Sequence, residues 1–114
     1  MPYNIRGSEY YFPSEPILRN NKNYVPLRDA IDVLGGTISF DNSTKTATAT
    51  IASFVATVTE GDSSVDVSGT PVTLTAPPII ENNEFFVPFD FFRDAYGYET
   101  SFANGTVSIT NPNE

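Results

Sequence analysis

Eight aromatic residues fall within the eighteen positions of residues 85–102, the part of the sequence best suited to bind a ligand. Exposed aromatic rings are amphipathic, so they stack on sugar rings or anchor a protein partner. Phe91 falls off the face that the other aromatic residues of its helix share, and Tyr98 follows the end of that helix. We therefore expect one or two rings, these first, to be exposed. The alternative is that the rings fill a shared core, the usual role of an apolar stripe.

A second aromatic patch lies near the amino terminus. Alternation along a strand places Tyr10 and Phe12 on one side and Tyr11 on the other, so Tyr11 is expected to be exposed. Strand pairing also explains the patch, because aromatic residues favour strands. Arg28, at the head of a predicted helix, either tethers a neighbouring carboxylate or carbonyl or contacts a ligand. The candidate ligand-binding residues are Phe91, Tyr98, Tyr11 and Arg28.

The composition excludes most catalytic machinery. The 114 residues include no His, no Cys and no Trp, so imidazole and thiolate metal sites and His-activated nucleophiles are excluded. Glu60, Asp62 and Asp66 cluster in a loop and could hold a hard cation. Their spacing matches no EF-hand, and a solvated acidic loop is the better interpretation. We expect no enzyme, no catalytic residue, no metal and no cofactor.

The charge and the absence of targeting segments indicate a class of partner and a location. A net charge of −8 disfavours nucleic acid and anionic membranes. No run of eighteen apolar residues and no signal peptide are present, so we expect no membrane insertion and a fragment of a longer protein that carries its export signal elsewhere. The absence of Cys fits an exported protein of a Gram-positive bacterium and a cytosolic protein equally, and the thirteen Thr favour an extracellular or cell-surface location.

An internal repeat organises the chain. Residues 16–42 align with residues 78–104 at an offset of 62, and 11 of these 27 positions are identical. Units of this size rarely bury their own apolar face, so the two copies must share one core. We expect a single domain over residues 1–114, with repeat one at about 10–52, linking strands at 53–76 and repeat two at about 77–110.

Each copy predicts a hairpin followed by a short helix. Two short apolar runs flank an Asn-Asn turn, at residues 20–21 and again at 82–83. Pro26 and Pro88 then suit a first helical turn, and Gly35 and Gly97 suit left-handed C-caps nine residues later.

A second hairpin follows each helix, and further strands link the copies. Its turns fall at residues 41–45 and at Asn104-Gly105, and Asn-Gly is a strong hairpin signal. The linking strands are expected at 54–59, 64–67 and 71–75. The predicted fold class is α+β, an antiparallel sheet packed around two short helices and built from two pseudo-symmetric repeats.

The order of these features resembles a known family. Copy one carries Tyr24-Val25-Pro26-Leu27-Arg28, then Leu34-Gly35 and Phe40-Asp41, which is similar to the copper amine oxidase N-terminal-like (stalk) domain of Gram-positive exported proteins. Copy two keeps the pattern at residues 86–89 but has Asp90 where the family has Arg. The resemblance implies a non-catalytic module. Copper does not carry over, because the oxidase's catalytic domain uses three His ligands and this chain has no His.

We interpret the chain as a non-catalytic extracellular module, a spacer or attachment domain of a larger bacterial surface or secreted protein. The alternative is a carbohydrate or cell-wall glycan binding module that uses exposed aromatics beside Asn, Asp or Arg. A third possibility is docking of a protein on the rings or on an open sheet edge such as residues 46–51. The expected partners are other domains of the parent protein and, for the alternative, a cell-wall glycan or polysaccharide, with no nucleic acid.

Overall fold

The computed structural model describes residues 3–12, 16–19 and 21–111, which form thirteen strands and two helices. The elements in chain order are β1 (Tyr3–Ile5), β2 (Ser8–Tyr10), β3 (Ile17–Arg19), β4 (Lys22–Pro26), α1 (Leu27–Val33), β5 (Thr37–Asp41), β6 (Thr46–Ile51), β7 (Phe54–Thr59), β8 (Ser64–Val67), β9 (Thr70–Thr73), β10 (Ile79–Glu81), β11 (Glu84–Pro88), α2 (Phe91–Tyr96), β12 (Glu99–Ala103) and β13 (Thr106–Thr110). The mostly antiparallel strands and two short helices confirm the α+β class.

The central sheet joins the first hairpin of each repeat in the order β10-β11-β4-β3. Asn82 and Asn83 both have positive φ, as a two-residue turn of the primed type requires, and the predicted hairpin is confirmed. The β3–β4 hairpin is also confirmed, although Asn20 of its turn lies outside the described residues. Strands β4 and β11 pair antiparallel, with Val25 opposite Val87, the residue 62 positions later.

Two further sheets hold the second hairpins, so the single sheet expected from the sequence is divided into three. One has the order β5-β6-β7-β8-β9 and the other β12-β13-β1-β2. In the second sheet β1 runs parallel to β13, a pairing that the sequence did not predict. The strand β6, residues 46–51, pairs with β5 and with β7. It is therefore not an open edge, contrary to expectation, because the linking strand β7 covers it.

Both helices end as the glycines predict. Gly35 and Gly97 have φ of 82° and 79°, and the amide of Gly36 closes α1 by donating to the carbonyl of Ile31 at 2.9 Å. The second helix begins at Phe91, later than the prediction from Pro88, because Asp90 has non-helical backbone angles. Within the described residues, neither helix is long and apolar enough to cross a membrane.

The main core combines aromatic side chains of the second repeat with small residues of the first repeat and of the linking strand β7. Phe91 and Phe92 are fully buried and form an edge-to-face pair at 5.1 Å. Ala47, Ala49 and Ala56 on β6 and β7 are also fully buried in this cluster. The interpretation of the aromatic residues as core is therefore confirmed for these rings.

The expected exposure of Phe91 is wrong. Its ring has no exposed surface and also packs at 5.7 Å against Tyr96, so it cannot offer a face to a ligand. The helix has only six residues and is covered on more than one side, so a ring off the main stripe is still enclosed. The expectation for the other patch is confirmed, since Tyr11 is 70% exposed while Tyr10 and Phe12 pack on the core.

We predict that Phe91→Ala destabilises the fold by about 3–5 kcal/mol, the usual cost of emptying a buried aromatic site. Tyr11→Ala is the matched control and should change the free energy of unfolding by less than about 0.5 kcal/mol, because that ring is exposed. Urea unfolding followed by circular dichroism measures both. Equal, small effects would contradict the placement of Phe91 in the core.

We also predict a pH effect at Tyr96, whose hydroxyl donates to the carbonyl of Ala49 at 2.8 Å. Burial, and next the charge of Tyr98, raises the pKa of Tyr96 above its usual range, so the folded state holds this proton more tightly than the unfolded chain. The resulting stability is complete below about pH 10 and is lost as the pH rises above it.

Tyr96→Phe should therefore cost about 1 kcal/mol at pH 7, the usual contribution of such a hydrogen bond, and should flatten the decline of stability above pH 10. Denaturant unfolding at pH 7, 9, 10 and 11 measures both effects. Parallel pH profiles for the two proteins would rule out this role for Tyr96.

Candidate functional site

The structure does not bring the four predicted site residues together. Phe91 is buried in the core, and Tyr98 is half-buried with its ring 6.3 Å from that of Tyr96. Tyr11 is exposed, and its hydroxyl donates to Glu9 at 3.0 Å. Arg28 is exposed on α1 and lines a groove that none of the other three reaches.

This groove lies where α1, the β5–β6 hairpin and the β10–β11 hairpin meet. Its volume is about 200 Å³. The buried side chains of Ala47 and Phe85 form its base, with half-buried Ile38 and Ile80 beside them. An apolar base of this kind, with polar groups around it, is the usual composition of a small-molecule site.

Phe40 is the aromatic ring at the mouth of the groove. Its side chain on the edge strand β5 is 41% exposed, and its ring packs edge-to-face against Phe85 at 5.9 Å. The contact with Phe85 holds one part of the ring in place while the remainder faces solvent. The result is a fixed aromatic surface that a ligand can reach.

Two cationic side chains, Arg28 and Lys45, line the groove. Lys45 Nζ donates to Asn42 Oδ1 at 2.9 Å, a neutral partner that leaves the charge uncompensated. Arg28 is exposed, and no carboxylate of the described residues lies within 4.0 Å of either cation. In the same turn Asp41 accepts from the amide and hydroxyl of Ser43, which lowers the pKa of its carboxyl. These bonds fix the turn that carries Asn42 and Lys45.

The acidic groups near the groove are Glu84, which lines it, and Asp29 on α1. Partial burial, the charge of Glu84 and the charge of Asp32 raise the pKa of Asp29, while Arg28 opposes this shift. Glu84 therefore lies close enough to α1 to act on its charges. The lining side chains carry two positive charges against one negative, on a protein whose net charge is −8.

At the equivalent position of the second repeat, Asp90 forms an ion pair with Lys22 of the first. Asp90, 62 residues after Arg28, is only 4% exposed and accepts from Lys22 at 2.8 Å and from Thr75 at 2.9 Å. Lys22, which corresponds to Glu84, also lies 5.0 Å from the centroid of the Phe89 ring. The charges at these two positions are thus reversed between the repeats, and Lys22 and Asp90 neutralise each other.

The acidic loop contributes turn-stabilising hydrogen bonds. Asp62 accepts from the amide of Ser64 at 2.9 Å and Asp66 from the amide of Gly69 at 3.1 Å. No group of three acidic residues within the described ranges is arranged to hold a metal ion. The chain also has no His or Cys, so its residues do not fit a copper centre.

Sequence reasoning found Arg28 but missed Phe40 and Lys45 as its neighbours. Repeat one has few aromatic residues and Lys45 falls in a predicted turn, so neither Phe40 nor Lys45 is among the predicted site residues. A signal was nevertheless present at the offset of 62. Arg28 and Glu84 carry charges opposite to those of Asp90 and Lys22, the residues at the same positions of the other repeat, so this offset marks two positions whose charges are reversed between the copies.

The three sheets, two short helices and shared core define an α+β module with a small surface groove. Residues 4–111 match the family model of the copper amine oxidase N-terminal domain. The chain therefore belongs to this family, as the resemblance of its repeats indicated. No curated protein matches it. Membership of this family favours an accessory, non-catalytic domain.

We predict that Asp90→Ala destabilises the fold by about 3 kcal/mol, because it leaves the charge of Lys22 and the hydroxyl of Thr75 without their carboxylate partner. Glu81→Ala is the matched control. It breaks the Arg19–Glu81 pair, which at 2.6 Å is short but largely exposed, and should cost less than about 1 kcal/mol. Urea unfolding of each variant gives the two values. Similar costs would show that the Lys22–Asp90 pair is no more than a surface ion pair.

Proposed function

We propose that this domain is a non-catalytic spacer or attachment module of a larger bacterial surface or secreted protein. The observation that carries the proposal is the parallel pairing of β1 with β13, in which Tyr3 lies opposite Val107 and Ile5 opposite Ile109. A polypeptide that continues on both sides of these strands leaves the pair at opposite ends. This arrangement suits a module placed in line between two other parts.

The same pairing favours resistance to tension. A force applied along two parallel neighbouring strands pulls them past each other, so it acts on all of their hydrogen bonds at once. The backbone bond from Arg6 N to Ile109 O at 2.9 Å continues this connection beyond β1. Both strands also bury side chains in the core, with Tyr3, Ile5, Val107 and Ile109 fully enclosed. Sliding the strands therefore requires the core to open as well.

An extracellular or cell-surface location is part of the proposal. It is supported by the thirteen Thr and by the resemblance to modules of Gram-positive exported proteins. The net charge of −8 disfavours contact with nucleic acid. The proposed partners are the neighbouring domains of the parent protein.

We further infer that the chain is one domain whose two repeats are related by approximate two-fold symmetry. Val25 pairs with Val87, its own counterpart at the offset of 62. Arg19 likewise forms an ion pair with its counterpart, Glu81. A residue that contacts its own equivalent lies on or near a two-fold axis, so both contacts support an axis through the centre of the middle sheet.

Glycan binding is the second candidate function. The burial of Phe91 argues against the rings chosen from the sequence. The observation that favours the function is the exposed ring of Phe40, which shares a groove with Arg28 and Asn42. An accessible aromatic ring beside an amide and a guanidinium is the combination that such a module needs.

The spacer proposal predicts that mechanical strength depends on the direction of pulling. The chain has no Cys, so single cysteines provide unique attachment points. With the other attachment at the amino terminus, Thr110→Cys loads β1 and β13 in shear. A handle at Ala103→Cys instead lies opposite Thr106, at the start of β13. Pulling there separates β1 from β13 one hydrogen bond at a time, beginning at the start of β1. Single-molecule unfolding should require a several-fold higher force with the first handle.

Both substituted residues are exposed, so the variants should have equal thermal stability, which is the control for this comparison. Equal unfolding forces in the two geometries would contradict the proposal that the terminal strands adapt this domain to tension.

A further inference from the structure

The same pair of positions differs between the two repeats. Beside α2, Lys22 of repeat one and Asp90 of repeat two form an ion pair at 2.8 Å, with side chains that are 22% and 6% exposed. Beside α1, the corresponding residues Glu84 and Arg28 are not within ion-pair distance of each other. The groove between α1 and the β5–β6 and β10–β11 hairpins lies there. The charge of Asp90 thus has an ion-pair partner, whereas that of Arg28 has no carboxylate within 4.0 Å among the described residues.

The other described cations have partners elsewhere. Arg19 pairs with Glu81, Lys22 with Asp90, and Arg93 with Asp94. Arg28 and Lys45 lack a carboxylate within 4.0 Å among the described residues, and both line the groove. The groove lining carries these two cations and the single carboxylate of Glu84, and a net positive lining on a protein with fourteen acidic residues and only six basic ones favours an anionic ligand.

The uncharged lining specifies the rest of the ligand. Phe40 presents a partly exposed ring, and the side-chain amides of Asn42 and Asn83 supply both donors and acceptors. Sugar rings need this combination, because they have an apolar face and a circumference of hydroxyl groups. The volume of about 200 Å³ is below the roughly 300–1,000 Å³ of pockets for drug-sized ligands, which favours one sugar unit over an extended peptide.

We propose that this groove binds a carboxylate-bearing sugar, with Arg28 and Lys45 facing the carboxylate, Phe40 stacking on the ring and the two Asn side chains contacting its hydroxyl groups. This goes beyond the spacer function and gives the second candidate function a site and a ligand class. Glu84 opposes anion binding at one side of the groove, so the carboxylate is expected on the side of Lys45.

The test is titration of the isotope-labelled domain with digalacturonate, followed by amide chemical shifts and calorimetry. The dimethyl ester of the same disaccharide is the uncharged control, and an acidic tetrapeptide is the competing class of ligand. Digalacturonate should give saturable shifts at Phe40, Asn42 and Asn83. The ester should bind about tenfold more weakly or not at all, because it lacks the negative charge that Lys45 and Arg28 attract.

Matched variants separate the groove from general electrostatics. Arg28→Gln and Phe40→Ala should each weaken binding about tenfold. Arg6→Gln removes the same charge outside the groove and Tyr11→Ala removes an exposed ring outside it, so neither should change affinity by more than about twofold. The double variant Arg28→Asp/Glu84→Lys copies the charges of the second half and should close the groove and abolish binding while the domain stays folded.

Several outcomes would overturn the proposal: no saturable binding, equal binding of the acid and its ester, unchanged affinity in Arg28→Gln and Phe40→Ala, or preference for the tetrapeptide. The unfolding force of Arg28→Gln should equal that of the parent protein. Loss of sugar binding with unchanged mechanical strength would therefore contradict only the binding site. Sugar binding without the expected dependence of unfolding force on direction would contradict only the spacer function.

Discussion

The structure depends above all on one core that combines large side chains of the second repeat with small ones of the first repeat and of the linking strand β7. Phe91 and Phe92 share the core with Ala47, Ala49 and Ala56, where larger residues on β6 and β7 would leave no room for them. The hydroxyl of Tyr96 reaches the backbone of β6 and donates to Ala49, so a polar group on a buried ring is satisfied by the strand on which it packs. Residues of both repeats and of the linking strands contribute to this one buried cluster.

This packing also explains where a ligand can and cannot bind. The dense aromatic segment is used for folding, and its rings are largely enclosed. The first repeat, with fewer aromatic residues, leaves space beside its helix, where Phe40 remains partly exposed above Phe85. The candidate site therefore arises from unequal filling of two similar positions. In the second half an ion pair, a cation–π contact and the hydrogen bond from Thr75 occupy the corresponding place.

Charge and topology assign different roles to different parts of the surface. Arg19, Lys22 and Arg93 pair with carboxylates, while Arg28 and Lys45 have no carboxylate within 4.0 Å among the described residues. The strands β1 and β13 pair in a sheet that contributes no residue to the groove. A spacer function and a ligand site are consequently compatible in one small domain, because they use separate structural elements and make no competing demands on the same residues.

The sequence by itself determined the local structure. The Asn-Asn and Asn-Gly turns, the prolines before the helices and the glycines after them each act through the backbone of a few neighbouring residues, so the hairpins and helix ends were predictable. It also indicated the family and the alternation that exposes Tyr11. Only the tertiary structure decided that β1 runs parallel to β13, that β6 is covered by β7, that Phe91 is enclosed, and that Arg28 meets Phe40 and Lys45 at one groove. Those features depend on contacts between residues far apart in the chain, and spacing along one repeat carries no information about which surfaces the other elements will cover.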